Sequence, residues 1–279
     1  MQIIENISQI KEVISSLKSE GKSIGFVPTM GALHKGHISL IRRAGEENDA
    51  VVSSIFVNPT QFNNPNDLKN YPRTFEGDRL MLEKAGCDLV FFPSENEIYP
   101  VNDTTIYDLG MLDTTMEGLH RPGHFNGVAM VVKKLFEIVQ PHTAYFGEKD
   151  YQQLLIISHI TRFYNIGVQI IPCPTLREAD GLAMSSRNRL LSSSDRAIAH
   201  IIYDTLKGVK EKAGKLNVNQ VKEWAENHLQ KYPELKKEYF EIADSNTLEP
   251  VSDWDNKNIR AFASIYLGKV RLIDNMKLF

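Results

Sequence analysis

Ile24-Gly25-Phe26-Val27-Pro28-Thr29-Met30-Gly31-Ala32-Leu33-His34-Lys35-Gly36-His37-Ile38-Ser39-Leu40-Ile41 is the stretch whose reading decides the fold. It opens as an apolar run, continues as a turn carrying glycines and two histidines, and ends as a helix. A strand, a glycine turn and a helix N-terminus in that order suit the phosphates of a nucleotide. The first-turn N–H groups and the positive end of the helix dipole attract anions. Gly31 and Gly36 let the backbone approach without a Cβ in the way. Each imidazole can donate a ring N–H to a phosphoryl oxygen where charge builds up. The alternative is a metal site, because histidines three apart share a helical face. The strand-to-helix context and the lack of a nearby third His or Glu favour phosphate.

Outward from this stretch, strand-like and helix-like runs alternate. Ile7, Ile10, Ile14 and Leu17 recur at helical spacing, closed by Gly21. The spacing predicts strands at Ile24–Val27, Ala50–Val57, Asp88–Phe92, His142–Phe146 and Val168–Ile171. It predicts helices at His37–Glu47, Phe75–Lys84, Phe125–Val139 and Tyr151–Tyr164, with a polar loop after Val57 and a long irregular stretch before Phe125. Short strands, apolar on both faces and separated by helices, imply a Rossmann-like α/β fold, a parallel sheet covered on both sides. Ligands of such sheets sit at the carboxyl ends of the strands, so the turns after Val27, Val57, Phe92 and Phe146 should share one crevice. After Pro172-Cys173-Pro174 the pattern changes to helices (Ser194–Ala213, stopped by Gly214, and Val218–Lys231) followed by strands at Glu238–Asp244, Arg260–Tyr266 and Val270–Asp274. The expected division is a catalytic domain over 1–174 and a smaller α+β domain over 175–279.

The 279 residues hold 32 Lys and Arg against 35 Asp and Glu, a net charge of −3. This balance gives no broad basic surface for nucleic acid. No apolar run is long enough to span a bilayer, and no secretory pattern opens the chain. Cys87 and Cys173 have neither metal-ligand spacing nor a disulfide framework, and Cys87 reads as a small core residue opening a strand. The expected location is the cytoplasm, without membrane or nucleic-acid partners.

Four further segments carry candidate chemistry. Val57-Asn58-Pro59-Thr60-Gln61-Phe62 sets amides beside an apolar wall, which suits a small hydroxy acid; an ordinary Asn-Pro turn is equally consistent. Phe146-Gly147-Glu148-Lys149-Asp150-Tyr151-Gln152-Gln153 repeats the strand–glycine–helix order. There Lys149 serves as a point charge for phosphate, or pairs in solvent with Glu148 while Asp150 caps the helix. Leu182-Ala183-Met184-Ser185-Ser186-Arg187-Asn188 is a loop whose hydroxyls and guanidinium can close over a polyphosphate, or a polar linker with a helix cap. His124 caps its helix or lines the crevice. Asp78, with Arg79 and Glu83, belongs to a solvated face or reaches a magnesium ion.

Taken together these motifs resemble a known family. The histidine turn and the Met184-Ser185-Ser186-Arg187 loop look like the paired signatures of the HIGH-motif nucleotidyltransferase superfamily. The fuller set adds Val57-Asn58-Pro59-x-Gln61-Phe62, Tyr71-Pro72-Arg73-Thr74, Gly147-Glu148-Lys149-Asp150-Tyr151-Gln152-Gln153 and Met184-Ser185-Ser186-Arg187-Asn188. That set closely resembles the pantothenate synthetase (pantoate–β-alanine ligase) family. The match runs in order across the first domain and into the junction. Ala183 and Arg187 replace the lysines of the synthetase-type loop, which argues against a tRNA synthetase. Met130 stands where the family leads one to expect threonine.

The resemblance implies ATP as substrate with Mg2+, a homodimer, and two half-reactions. Pantoate carboxylate attacks the α-phosphorus to give pantoyl adenylate and pyrophosphate; the β-alanine amine then displaces AMP. It implies that His34, His37, Lys149 and Arg187 are catalytic. Met30, Gly31, Gly147, Glu148, Asp150, Leu176, Met184, Ser185 and Ser186 would complete the ATP site. Gly147, Asp150 and Leu176 would flank ribose and adenine, and Ser185, Ser186 and Arg187 the outer phosphates. Gln61 and Gln153 would hold pantoate, with Asn58 and Met30 nearby. Two rivals remain: a nucleotidyltransferase of a phosphorylated acceptor, disfavoured by the neutral Gln61/Gln153 pair, and a nucleotide sensor that binds ATP without turnover.

Overall fold

The computed structural model describes residues 1–101, 103–255 and 258–279, and the chain divides into two compact units. The first comprises Met1–Asp113, Glu117–Glu148 and Gln153–Pro174; the second comprises Thr114–Met116, Lys149–Gln152 and Thr175–Phe279.

The first unit is built on six parallel strands: β1 (Gln2–Ile4), β2 (Ile24–Thr29), β3 (Ala50–Ile55), β4 (Leu89–Phe91), β5 (Thr143–Gly147) and β6 (Gln169–Cys173). Their order is β1-β4-β3-β2-β5-β6. Every residue of β3 is buried, which is why its run has no polar–apolar alternation. The chain steps outward from β2 to β3 and β4, then crosses to the other side of β2 as β5. The strand order therefore reverses beside β2, and such reversals open a crevice at the carboxyl ends. The histidine turn leaves β2 at that point.

The helix Lys35–Glu47 packs Leu40, Ile41 and Ala44 against the sheet. Its far end is fastened to β5 by Tyr145, whose hydroxyl donates to Glu47 at 2.8 Å and accepts from Asn48 Nδ2 at 2.7 Å. Val27, Leu33, Val51, Ile55, Leu82, Val90 and Tyr145 form the core on this side. Cys87 is buried there, as its reading as a core residue requires. It lies just before β4 rather than opening it, and burial pushes its thiol up to about 12.

The second unit has a three-stranded antiparallel sheet, β7 (Leu235–Asp244), β8 (Ile259–Leu267) and β9 (Val270–Lys277), in that order. Helices Ile201–Lys212 and Val218–Leu229 bury Leu206, Val209, Val221 and Ala225 into a core with Ile242, Ala261 and Ile265. The second helix is stopped at its start by a reciprocal cap between Asn217 and Gln220.

Some expectations need correction. The single helix over Ser194–Ala213 is two, Ser193–Ile198 and Ile201–Lys212, because the chain tightens at Ala199, whose carbonyl accepts from Ile202. β1 was not expected; three residues are too few for a periodicity, and it exists through pairing with β4. Short helices Pro65–Asn70, Glu95–Ile98 and Met116–His120 occupy stretches read as loop.

Candidate active site

The histidine turn is held by its own main chain. Gly31 has φ +80° and Ala32 φ +50°, so two consecutive residues are left-handed, and only the first is a glycine. What secures Ala32 is Asp78. Its Oδ2 accepts the Ala32 N–H at 2.8 Å and its Oδ1 the Leu33 N–H at 2.7 Å, and the Thr74 hydroxyl contacts both oxygens at 3.2 Å. Asp78 is 2% exposed, so it does not belong to a solvated face. Thr74, at the end of the Tyr71-Pro72-Arg73-Thr74 motif, thereby serves the turn indirectly. The Thr29 hydroxyl bridges the Gly31 N–H and the Ser54 carbonyl.

His34 is the N-cap of helix Lys35–Glu47. Its Nδ1 accepts the Gly36 N–H at 3.1 Å, and His37 Nδ1 accepts the His34 N–H at 3.3 Å. The rings lie 4.1 Å apart. With both Nδ1 atoms accepting, the neutral tautomer assigned from these partners puts each proton on Nε2. Two imidazole donors are thus mounted where the helix already favours an anion.

A second cluster follows β3. Asn58 Nδ2 donates to Gln61 Oε1 at 3.0 Å and to the Gly127 carbonyl at 3.1 Å; its Oδ1 accepts the hydroxyls of Thr60 and Tyr99, each at 2.9 Å. Gln61 Nε2 points at Met30 Sδ, 3.2 Å away. His124 Nδ1 lies 2.8 Å from the Gln61 carbonyl and its Nε2 2.9 Å from Arg121. Asn58, Gln61 and His124 are all buried. The helix His124–Val139 can lie this close because residue 127 is glycine: a Cβ there would stand 2.3 Å from the Thr60 carbonyl oxygen. Met130 is buried in the same helix. Met30, Asn58 and Gln61 therefore form one group, and Asn58 fixes the orientation of the Gln61 amide. Tyr99 was missed. It sits in the irregular stretch, 41 residues from Asn58, and no local pattern marks it; burial pushes its hydroxyl up to about 12, so it remains a donor at neutral pH.

The remaining candidates divide between the units. Gly147 ends β5, Glu148 follows in a short 3-10 turn, and Gln153 lies on helix Tyr151–Phe163. Lys149, Asp150, Leu176 and Met184–Arg187 belong to the second unit. There Lys149 Nζ stands 3.5 Å from Asp150. The Met184 N–H donates to the Leu176 carbonyl at 3.0 Å, which sets those two expected nucleotide contacts side by side. Ser185 caps the 3-10 turn Ser186–Leu190 by accepting the Arg187 N–H at 3.3 Å, and Asn188 Nδ2 donates to the Ala183 carbonyl at 3.0 Å.

Known proteins bear on what these groups serve. Residues 2–277 match the family model described as pantoate-beta-alanine ligase. A pantothenate synthetase of Porphyromonas gingivalis is 49% identical over 278 residues, 99% of each chain; one of Thermotoga neapolitana is 49% identical over 277, again 99% of each. A crystal structure of pantothenate synthetase from Thermus thermophilus superposes with a TM-score of 0.94 at 42% identity, covering all of both chains. The pantoate-beta-alanine ligase of Francisella tularensis, solved with beta-gamma ATP and beta-alanine, gives 0.83 at 41% identity over 100% of this chain and 98% of that one. The chain belongs to the pantoate–β-alanine ligase family of enzymes.

Proposed function

We propose that the chain condenses pantoate with β-alanine at the expense of ATP, through a pantoyl-adenylate intermediate, releasing pyrophosphate and then AMP. The observation that carries this reading is the reciprocal histidine cap at the N-terminus of the helix that follows β2, in which both Nδ1 atoms accept main-chain N–H groups. A carboxylate needs no activation as a nucleophile, so the protein's task is alignment and neutralisation of phosphate charge. His34 and His37 donate to the α-phosphate as charge grows there, and Lys149 offsets charge on the departing pyrophosphate. Ser185, Ser186 and Arg187 hold the outer phosphates. Gly147, Asp150 and Leu176 flank the ribose and adenine, and Glu148, Met184, Met30 and Gly31 complete the ATP site.

Pantoate is read by neutral amides. Gln61, fixed by Asn58, and Gln153 bond its hydroxyl and carboxylate, with Met30 as an apolar wall. Magnesium carried by the triphosphate would supply charge neutralisation there; both oxygens of Asp78 accept the Ala32 and Leu33 N–H groups, so Asp78 acts as a clamp on the turn. The mixed anhydride must be kept from water, which assigns the Met184–Arg187 loop the role of a lid. The protein acts as a homodimer in the cytoplasm; among the described residues no helix is long and apolar enough to cross a membrane. The test is pyrophosphate release from ATP and pantoate, before and after β-alanine. One equivalent per site at first, then turnover with AMP, is expected. No release with pantoate present overturns the reading, and a stable nucleotide–acceptor product would indicate the transferase alternative.

A further inference from the structure

Lys149–Gln152 cluster with the second unit although Glu148 and Gln153, on either side, belong to the first. Lys149, Tyr151 and Gln152 are tied to β8, β9 and Thr115. Asn275 on β9 donates from Nδ2 to the Lys149 carbonyl at 2.9 Å. Asn275 Oδ1 accepts from the Arg260 guanidinium, and its N–H donates to Asp274 Oδ1 at 2.8 Å. Asp274 in turn is gripped by Arg177 through both terminal nitrogens, at 2.6 and 3.0 Å. The Arg260 guanidinium carbon stands 3.8 Å from the centre of the Tyr151 ring, and Phe262 meets the same ring at 5.9 Å. Gln152 Nε2 donates to the Thr115 carbonyl at 2.9 Å.

This arrangement costs stability to build. Arg260, Asp274 and Asn275 are 6%, 4% and 4% exposed, and burying charged groups in a small sheet is at best neutral against apolar packing. What such a network supplies is a unique geometry. The Asn275 amide has one orientation that satisfies both partners, with nitrogen to the Lys149 carbonyl and oxygen to Arg260. Reversing it would set oxygen against oxygen and N–H against N–H.

We propose that Asn275, oriented by Arg260 and Asp274, is a positioning residue for Lys149, so that the C-terminal sheet fixes the main chain from which the ammonium reaches the triphosphate. The proposal rests on the reading of Lys149 given above. Asn275 acts through the Lys149 carbonyl and needs no contact with substrate.

A double-mutant cycle on single-turnover pyrophosphate release separates this from a merely structural role. Asn275→Asp keeps the shape and the Arg260 contact but replaces the donor facing Lys149 with an oxygen. It is expected to slow release roughly ten- to a hundredfold, the scale on which small displacements of reacting groups act. The KM for β-alanine in the second half-reaction should stay as in the parent. In the Lys149→Ala background the same substitution should cost nothing further. Parental rate in Asn275→Asp, or an equal loss in both backgrounds, overturns the proposal. Should Asn275→Asp fail to fold, Asn275→Ala carries the same cycle. If Lys149→Ala alone releases pyrophosphate at the parental rate, the reading of Lys149 fails first, and a slow Asn275→Asp would then report structure only.

Discussion

The Met30–His37 turn and the Leu182–Asn188 loop are both assigned to the triphosphate, yet they are built in opposite ways. In the turn, a buried carboxylate takes two consecutive main-chain N–H groups and two imidazoles take two more. Ala32 and Leu33 are wholly buried. The loop is anchored at Leu182 and Ala183, which are buried, and by the Met184 N–H on the Leu176 carbonyl, while its donors lie at a short 3-10 turn with no buried residue, capped by Ser185. The first is a donor array set before any ligand arrives. The second presents its donors from a turn without a buried residue, as suits a segment proposed to admit and release a nucleotide.

The comparison is broken most directly at Asp78. Asp78→Ala leaves the Ala32 and Leu33 N–H groups buried without an acceptor and releases a left-handed alanine. At about 1–3 kcal/mol for each stranded donor, the first unit should lose about 2–6 kcal/mol. Denaturant unfolding checks this, and a loss under 1 kcal/mol would show that the turn is held by other means.

Next in size is chemistry without folding. His37→Ala and Lys149→Ala should each slow pyrophosphate release by about a hundredfold, equivalent to about 3 kcal/mol. The His37 variant alone should also lose about 1 kcal/mol of stability, because its ring completes the cap on His34. Parental release in both would remove the proposed charge donors. A smaller and more selective effect belongs to Gln61→Ala, expected to weaken pantoate about tenfold or more while ATP affinity stays unchanged. Equal weakening of both substrates would move the hydroxy-acid pocket elsewhere.

Legibility in the sequence follows the range of the interactions. The parallel sheet was readable because Ile24–Val27, Ala50–Ile55 and the later apolar runs each carry their own periodicity, and helix Phe75–Lys84 coincides with its expected bounds. The histidine turn was readable because strand, glycine and cap are contiguous. Of the two readings of Asp78, a solvated face or reach to a magnesium ion, the first fails: its burial depends on a turn 45 residues away, while its neighbours Arg79 and Glu83 do form the ion pair that the pattern suggests. Tyr99 and Asn275 were invisible for the same reason, since each acts on a partner far off in sequence. Strand β1 escaped because three residues hold too little pattern to see.

The smallest expected effect sharpens the contrast most. Ser185→Ala removes the single hydroxyl that caps the loop's 3-10 turn, and with it one proposed phosphate donor. If the loop is ordered mainly by its ligand, the unliganded protein should lose only about 0.5–1 kcal/mol or less, because a single cap hydrogen bond to the half-buried Arg187 N–H is removed. The rate of adenylation should nonetheless fall by about tenfold, since the missing hydroxyl is needed where phosphate charge develops. A thermal melt with and without ATP separates the two quantities: the stabilisation conferred by ATP should shrink in the variant while the apo midpoint barely moves. A large drop in the apo midpoint would mean that the loop is as prebuilt as the histidine turn, and the opening and closing assigned to it would have no physical basis.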